Sequence, residues 1–379
     1  MLHFTEAEFA RRRTALSEAL SHAGLDGILL FAPESQFWLT GHDTFGYCFF
    51  QCLVFTPDHM VLLTRSADLR QAQLTSNIKD IRVWKDAAHA NTAEDLAQLL
   101  AELGLTPSKL GIETDTHGLT AWNGNRVAAA VPGLQDASYI VSDLRLTKSD
   151  EELAYVNSAA ILCDQALEDA LPLIKPGVSE AAVLAAMQGA VLGGGGDYPG
   201  NEFIVGSGEH ALLCRYQSGR RILGEQDQLT LEWAGAYRHY HVAAMRTAIL
   251  GTPRPEHIKM HDAAHEALLA CEAELKPGTP MGAVFEAHAK VFDKHGLAEA
   301  RLNACGYALG TRFSPSWMEH QMFYENAPTI MAPGQVYFLH MILMDSASGA
   351  AMSLGRSSVV TETGSTPLST LPLDMIVRP

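Results

Sequence analysis

The 379-residue sequence lacks several features that would place it in a common class of protein. No apolar run approaches the length of about 20 residues that a membrane-spanning helix needs. The N-terminal segment has no apolar core of the signal-peptide kind, so we expect a cytoplasmic protein. Basic residues are scarce, with 27 Lys and Arg against 43 Asp and Glu, and the net charge of −16 disfavours nucleic acid and anionic membranes as partners.

Cysteine is also sparse and occurs singly, at positions 48, 52, 163, 214, 271 and 305. Cys48 and Cys52 have C-x3-C spacing, but no second pair completes a zinc site. We therefore predict buried free thiols. The composition, 47% hydrophobic and 18% charged, is that of a globular protein with a full core, and the length suits two domains.

The first 145 residues alternate short apolar runs with helical stretches. Thr5 and Glu8 form a capping box that begins a helix, and Gly24 ends it. Apolar runs at 27–31, 53–55, 60–63, 81–84 and 110–112 predict strands, the second and third of them a hairpin, and 93–103 predicts a helix. The pattern indicates a small mixed α/β domain over residues 1–145.

Residues 146–379 contain the same sequence of elements twice. Ser149 and Glu152 form a second capping box, and the helix that follows stops at the Lys-Pro-Gly segment 175–177. A second predicted helix, 256–275, stops at another Lys-Pro-Gly segment 101 residues further on. We expect an internally duplicated α+β domain with a pseudo-twofold axis and a site built between its halves.

Several motifs of this second domain are specific. They are Ile204-Val205-Gly206-Ser207-Gly208, then Ala236-Tyr237, Tyr240-His241 and Arg246-Thr247, then Gly306-Tyr307-Ala308-Leu309-Gly310, Pro333-Gly334, and Val360-Thr361-Glu362-Thr363-Gly364. Together they resemble the creatinase/aminopeptidase P family. The resemblance implies a pita-bread fold for 146–379, a homodimer, and hydrolysis of a C–N bond in a small-molecule substrate.

The chain departs from that family at the metal ligands. Peptidases of the family hold two metal ions with two Asp, one His and two Glu, and those positions read here, in order, Glu232, Ala243, Tyr307, His340, and Gly355 or Arg356. Because two dications held close together need bridging carboxylates, we expect no dinuclear site and no cofactor. A single weak metal on Glu232 and His340 stays open. The pattern is most similar to the metal-free branch of creatinase and ectoine hydrolase.

Two residues are the main catalytic candidates. Glu232 interrupts an apolar strand, where a lone carboxylate is costly unless it is paired or protonated. It is a general base, a nucleophile, or the partner of Arg246 in a structural ion pair. His340 lies in the apolar run 336–343 and is an acid/base partner, a donor to developing negative charge, or a core histidine.

The remaining candidates depend more on the resemblance. His241 is either a proton carrier or a structural hydrogen bonder, and the Tyr307 hydroxyl orients substrate, stabilises an oxyanion, or only packs. Arg215 is the candidate for gripping a substrate carboxylate.

The resemblance adds Tyr240 as a substrate-binding residue. Tyr47 and Phe49 of the first domain are added too, because such residues reach a neighbouring subunit's pocket in the family, although core packing is the default. The sequence thus predicts a metal-independent hydrolase of an ectoine-like, creatine-like or N-acyl amino acid metabolite. A metal-dependent Xaa-Pro peptidase and a catalytically inactive binding protein are the alternatives.

Overall fold

The computed structural model describes residues 2–379, and the chain divides into two compact units at Arg145 and Leu146. In the first unit, helices and strands alternate along the chain. They are α1 Glu6–His22, β1 Gly27–Leu30, α2 Pro33–Thr40, β2 Cys52–Phe55, β3 Met60–Arg65, α3 Leu69–Thr75, β4 Asp80–Trp84, α4 Thr92–Glu102, β5 Leu110–Ile112, α5 Ala121–Ala130, β6 Gln135–Asp136 and α6 Ile140–Leu146.

The strands of the first unit form a mixed sheet in the order β4-β3-β2-β1-β5-β6. The predicted hairpin is present as antiparallel β2 and β3, and β1 pairs in parallel with β5. The Thr5 hydroxyl accepts the Glu8 amide, as the predicted cap requires. The sequence did not predict helix α2. All eight of its residues are buried, so it has no polar face that would give a helical period.

The second unit continues with helices and long strands. They are α7 Asp150–Ala170, α8 Glu180–Gly193, β7 Ile204–Ser207, β8 Asp227–Tyr237, β9 Tyr240–Leu250, α9 Pro255–Glu274, α10 Met281–Lys294, β10 Ala304–Leu309, β11 Met318–Tyr324, β12 Val336–Asp345, β13 Ala350–Val360, β14 Ser365–Pro367 and β15 Ile376–Arg378.

The internal duplication is visible in the hydrogen bonds that follow each first helix of a pair. Gly177 and Gly278 both have positive φ, 81° and 80°, a conformation that glycine adopts without strain. The amide of each glycine donates to a later extended segment that lies outside the strands, to Leu223 O and Met331 O. Those two residues donate back, to Val178 O and Thr279 O. The repeat that the Lys-Pro-Gly segments predicted is therefore confirmed.

One curved sheet joins the two halves, in the order β11-β10-β12-β13-β9-β8-β7. Helices α7 to α10 pack on one face, where the Trp233 indole of β8 donates to Cys163 O of α7. Alternate residues of the same strands point to the opposite face. The sheet thereby has one face covered by helices α7 to α10 and an opposite face on which side chains can form a ligand site.

Two smaller expectations can be compared with the fold. All six cysteines are free thiols, and positions 52, 163, 271 and 305 are buried as predicted. Cys48 is exposed and Cys214 partly so, because they lie in a surface turn and a loop; there the prediction of burial was wrong. Among residues 2–379, no helix combines the length and apolarity needed to cross a membrane.

Candidate active site

Four positions lie side by side across the open face of the sheet. Glu232 on β8 is opposite Met245 on β9. Met245 is opposite Gly355 on β13, which in turn is opposite His340 on β12. Side chains of directly opposed residues point to the same face. The row therefore brings together Glu232 and His340, which are 108 positions apart in the sequence.

The register also decides between two readings left open by the sequence. Arg356 points to the helix side, where its guanidinium binds the Glu272 carboxylate of α9 through two hydrogen bonds of 2.6 Å. Gly355 is therefore the position that faces the site. Arg246 also points to the helix side and donates to Gly355 O at 2.7 Å. The suggested ion pair between Glu232 and Arg246 is not formed, because Arg246 is opposite Leu231 and faces away from Glu232.

A cavity of about 170 Å³ lies above this row and is lined by residues of the second unit. Glu232 is the one acidic side chain in its lining among residues 2–379, and Arg215, Tyr307 and His340 also line it. The other walls are largely apolar, supplied by Ile204, Leu213, Met245, Leu302, Ala304, Met318, Met322, Ile342 and Met344. Four predicted site residues thus meet in one small, mostly apolar space.

The Glu232 carboxyl group is poised near neutrality. Burial raises its pKa to about 7, and the positive charge of Arg215 and hydrogen bonding from Tyr307 only partly oppose this. Near pH 7 the acid and the carboxylate are both populated, which is the condition under which a general base combines basicity with availability.

The Tyr307 hydroxyl has a fixed orientation. The indole N–H of buried Trp317 donates to the Tyr307 oxygen at 2.8 Å. Since an indole can only donate, the phenol proton is left to point elsewhere, and the Glu232 carboxyl group is the acceptor that it approaches. Burial, followed by the nearby Glu232 charge, raises the Tyr307 pKa, so the group stays a neutral donor. Sequence reasoning missed Trp317, which lies outside the motifs.

His340 is an uncharged imidazole in this site. Burial lowers its pKa to about 4, so the imidazolium form is rare at neutral pH. Its Nδ1 atom is buried and has no hydrogen-bond partner among residues 2–379. A buried nitrogen of this kind is available to a substrate or a water molecule. The environment of His340 therefore favours a neutral imidazole that hydrogen-bonds to substrate over an imidazole that carries a proton during the reaction.

The Phe338 ring packs against Gly355, which is one of the five family ligand positions. Its ring lies 5.5 Å from the Tyr307 ring and 5.6 Å from the His340 ring, measured between centroids. A Cβ atom built on Gly355 would lie 2.7 Å from Leu339 O and about 3.0 Å from the Phe338 ring. A glutamate at 355 would require the sheet to shift. Alternation along β12 places Phe338, His340, Ile342 and Met344 on one face, a signal that could have revealed Phe338.

The residues at the five family ligand positions do not suit a pair of divalent ions. Glu232 supplies the one carboxylate, while Ala243, Gly355 and Tyr307 supply neither a carboxylate nor an imidazole. Within residues 2–379, no group of three or more His, Cys, Asp or Glu side chains is arranged to hold a metal ion. The donor set lacks the bridging oxygens that a dinuclear centre needs.

Arg215 stands at the rim of the cavity, exposed to solvent. One guanidinium nitrogen donates to Cys214 O, and the other N–H groups have no protein acceptor among residues 2–379. The fully buried Glu180 carboxylate anchors the segment that carries Arg215. This carboxylate accepts hydrogen bonds from the Tyr216 hydroxyl and from the amides of Arg220 and Arg221, at 3.0 to 3.2 Å. A free bidentate donor on an anchored segment is suited to an anionic ligand group.

Two other predicted residues are engaged in structural contacts and do not line the cavity. The Tyr240 hydroxyl donates to Glu152 at 2.7 Å, within the capping box of α7. The His241 Nε2 atom accepts the Gly200 amide at 2.9 Å, and burial lowers the pKa of His241 to about 3. These contacts favour the structural reading of His241 and argue against substrate contact by Tyr240.

Tyr47 and Phe49 belong to the first unit. Tyr47 lies in the short turn Gly46–Cys48 and is partly buried. The Phe49 ring is 45% exposed and the Arg65 guanidinium lies 4.2 Å from its centroid. Neither lines the cavity of the second unit, and contact with substrate remains a prediction for both.

Comparison with known proteins decides the family. Residues 154–362, more than half of the chain, match the model of Metallopeptidase family M24. The chain belongs to this family. Residues 12–147 match the creatinase/prolidase N-terminal domain that accompanies it. The resemblance expected from the motifs, the pita-bread fold and the hydrolase class are thereby confirmed.

Relatives within the family extend over nearly the whole chain. Ectoine hydrolase of Halomonas elongata is 25% identical over 397 aligned residues, covering 100% of this chain and 99% of the relative. Xaa-Pro dipeptidase of Pyrococcus furiosus is 20% identical, covering 86% and 88%. The solved prolidase of Thermococcus sibiricus superposes with a TM-score of 0.87 at 17% identity, covering 97% and 99%. The two curated relatives are thus named as a hydrolase and a dipeptidase.

Proposed function

We propose that this protein is a metal-independent hydrolase that cleaves a C–N bond in a small polar metabolite. The observation that carries the proposal is the row across the sheet, in which Glu232 alone keeps a carboxylate and the Phe338 ring occupies the space above Gly355. Four of the five family ligand positions carry no carboxylate, and the Phe338 ring packs where a side chain at Gly355 would lie. This arrangement supports chemistry that does not use a metal pair.

Glu232 acts as the general base in this proposal. Its carboxylate takes a proton from a water molecule as the water oxygen bonds to the carbonyl or amidine carbon. The same carboxyl group then returns that proton to the leaving nitrogen as the C–N bond breaks. Water supplies both the oxygen of the new product, which is an acid from an amide and an amide or urea from an amidine or guanidine, and the hydrogen on the leaving amine, and no further reagent is needed.

The neighbouring groups stabilise charge during these steps. While Glu232 is ionised it attracts the Tyr307 proton, and once Glu232 has taken a proton the Tyr307 hydroxyl can donate to the developing oxyanion instead. Trp317 keeps that hydroxyl pointed into the site. His340, neutral at the working pH, offers its free nitrogen to the substrate, and Arg215 binds a substrate carboxylate at the rim.

We retain in the proposal the cytoplasmic location and the homodimeric state expected from the sequence. Light scattering on the purified protein tests the dimer. A monomeric mass across the micromolar concentration range would contradict the proposed homodimer.

Turnover of a substrate panel tests the reaction class. The panel contains cyclic amidines of the ectoine type, creatine-like guanidino acids, N-acyl amino acids and Xaa-Pro dipeptides, with products followed by mass spectrometry. We expect hydrolysis in one of the first three classes and none of the dipeptides. Cleavage of Xaa-Pro dipeptides alone would show a peptidase, and saturable binding of a panel compound without turnover of any would show a binding protein.

A further inference from the structure

A second cavity of about 400 Å³ adjoins the first and shares Ile204 and Arg215 with it. The two spaces differ in chemistry. Beyond Glu232, Tyr307, His340 and Thr230, the walls of the first are largely apolar and rich in methionine, including Met318, Met322 and Met344. The second is lined by Gln188, Asn201, Glu202 and Tyr216. A ligand that spans both would have an apolar end and a polar end, with Arg215 between them.

The size of the first cavity limits the apolar end. Its volume of about 170 Å³ compares with the roughly 150 Å³ that holds a benzene molecule in an apolar protein cavity. There is room for a group of about four or five carbons. An anionic group would have to leave water there beside the Glu232 carboxylate, which is strongly unfavourable. Methionine walls adapt well to a short flexible chain.

The wall of the second cavity is held in place from the protein interior. The Gly200 amide donates to His241, and the Asn201 side chain accepts the Trp317 amide at 2.8 Å. The Glu202 carboxylate accepts Gln217 and adds negative charge to the far wall. Arg215 is thus the cation available to an anionic group in this space, and its segment is anchored by Glu180.

We infer that the substrate is an N-acyl amino acid, with a short apolar acyl group in the methionine-lined cavity and the amino-acid carboxylate on Arg215 in the polar one. This rests on the proposed function and narrows its substrate class. The position of Glu232 sets the orientation of the substrate. Because Glu232 lies in the apolar cavity, the carbonyl carbon that water attacks must lie on that side. The C–N bond breaks at the junction, the acid stays in the first cavity, and the amine leaves through the second.

A pair of isomers tests the inference on the unaltered protein. N-Isovalerylglycine and N-acetyl-L-valine have the same formula but carry the apolar carbons on opposite sides of the amide. We expect N-isovalerylglycine to bind at least about tenfold more tightly by calorimetry, the scale on which a few methylenes discriminate in a fitted pocket. Equal affinity, or preference for N-acetyl-L-valine, would overturn the inference.

An Ala304→Leu variant checks the location, because Ala304 lines the first cavity. The affinity for N-isovalerylglycine should fall on the order of tenfold, and that for N-acetylglycine by less than about threefold. An equal loss for both ligands would contradict the assigned pocket.

Binding and turnover separate this inference from the proposed function. Binding of the two isomers in the expected order without hydrolysis of either would support the substrate class and overturn the hydrolase. Absence of binding by either isomer, with hydrolysis of a cyclic amidine or guanidino acid, would overturn the substrate class and leave the hydrolase standing.

Discussion

Replacement of Glu232 by glutamine is expected to lower kcat/KM on the order of 10³-fold, because the variant loses the one group that can take a proton from water. The amide is close in size to the carboxyl group, so the cavity and the binding of substrate should change little. The loss should therefore appear mainly in kcat. Steady-state kinetics on a substrate from the panel measures both quantities.

The pH dependence of the unaltered enzyme should report the same group. With the Glu232 pKa raised to about 7, kcat/KM should fall tenfold per pH unit below that value and level off above it. Because Arg215 lowers the Glu232 pKa, an Arg215→Ala variant should move this limb to higher pH. An acidic limb near pH 4.5 would mean that Glu232 titrates as an ordinary carboxyl group and is not the base.

A Glu209→Gln variant is the matched control. Glu209 lies near the site in sequence, but its side chain is 91% exposed and does not line the cavity. The chemical change is identical, and we expect kcat/KM to stay within about twofold. A large loss there would show that the general field of acidic charge, and not Glu232 itself, sustains the activity.

The same Glu232→Gln change is expected to stabilise the fold at alkaline pH. The folded-state pKa of about 7 lies above the usual 4.5, so the folded protein binds the proton more tightly than the unfolded chain does. The unaltered protein therefore loses stability as pH rises from about 4.5 to 7, by at most about 3 kcal/mol. Glutamine does not titrate. The variant should melt several degrees higher at pH 8 and at nearly the same temperature at pH 5.

Glu113 provides the contrast for that measurement. Burial raises its pKa to about 7 as well, yet its carboxylate accepts the amides of Phe31 and Ala32 and the Ser35 hydroxyl, at 2.6 to 2.9 Å. A glutamine at 113 would place its NH2 group against the amides and the hydroxyl that now donate to the carboxylate. Glu113→Gln should therefore lower the free energy of unfolding by about 1–3 kcal/mol at pH 8. If both variants melted lower at pH 8, the destabilising effect assigned to burial of the ionised Glu232 carboxylate would be disproved.

The fold was largely predictable because its signals are local. The Ser149 capping box forms in both directions, with Glu152 binding the Ser149 amide in return. The duplicated Lys-Pro-Gly segments led to the correct internal symmetry, since a helix that ends in such a segment needs the same positive-φ glycine each time. Strand limits such as those of β2 and β3 followed from apolar runs and the turn between them.

The site was predictable only in part, for a physical reason. Alternation along β8 put Glu232 on the face opposite Trp233, and the family motif singled out the position. Which residue opposes which depends on strand register, and no local signal distinguished Gly355 from Arg356. The Trp317 donor to Tyr307 joins a loop to a strand ten residues earlier. Contacts of that kind are set by packing, which the sequence does not display.

The central claim is that Glu232 works in this site without a metal ion. Its direct test is the metal content of the purified protein, by plasma mass spectrometry, measured with turnover before and after exhaustive chelation. We expect far less than one metal ion per chain, activity that chelation leaves unchanged, and no gain on adding manganese or cobalt. Loss of activity on chelation, restored by manganese or cobalt in proportion to the metal bound, would contradict the claim.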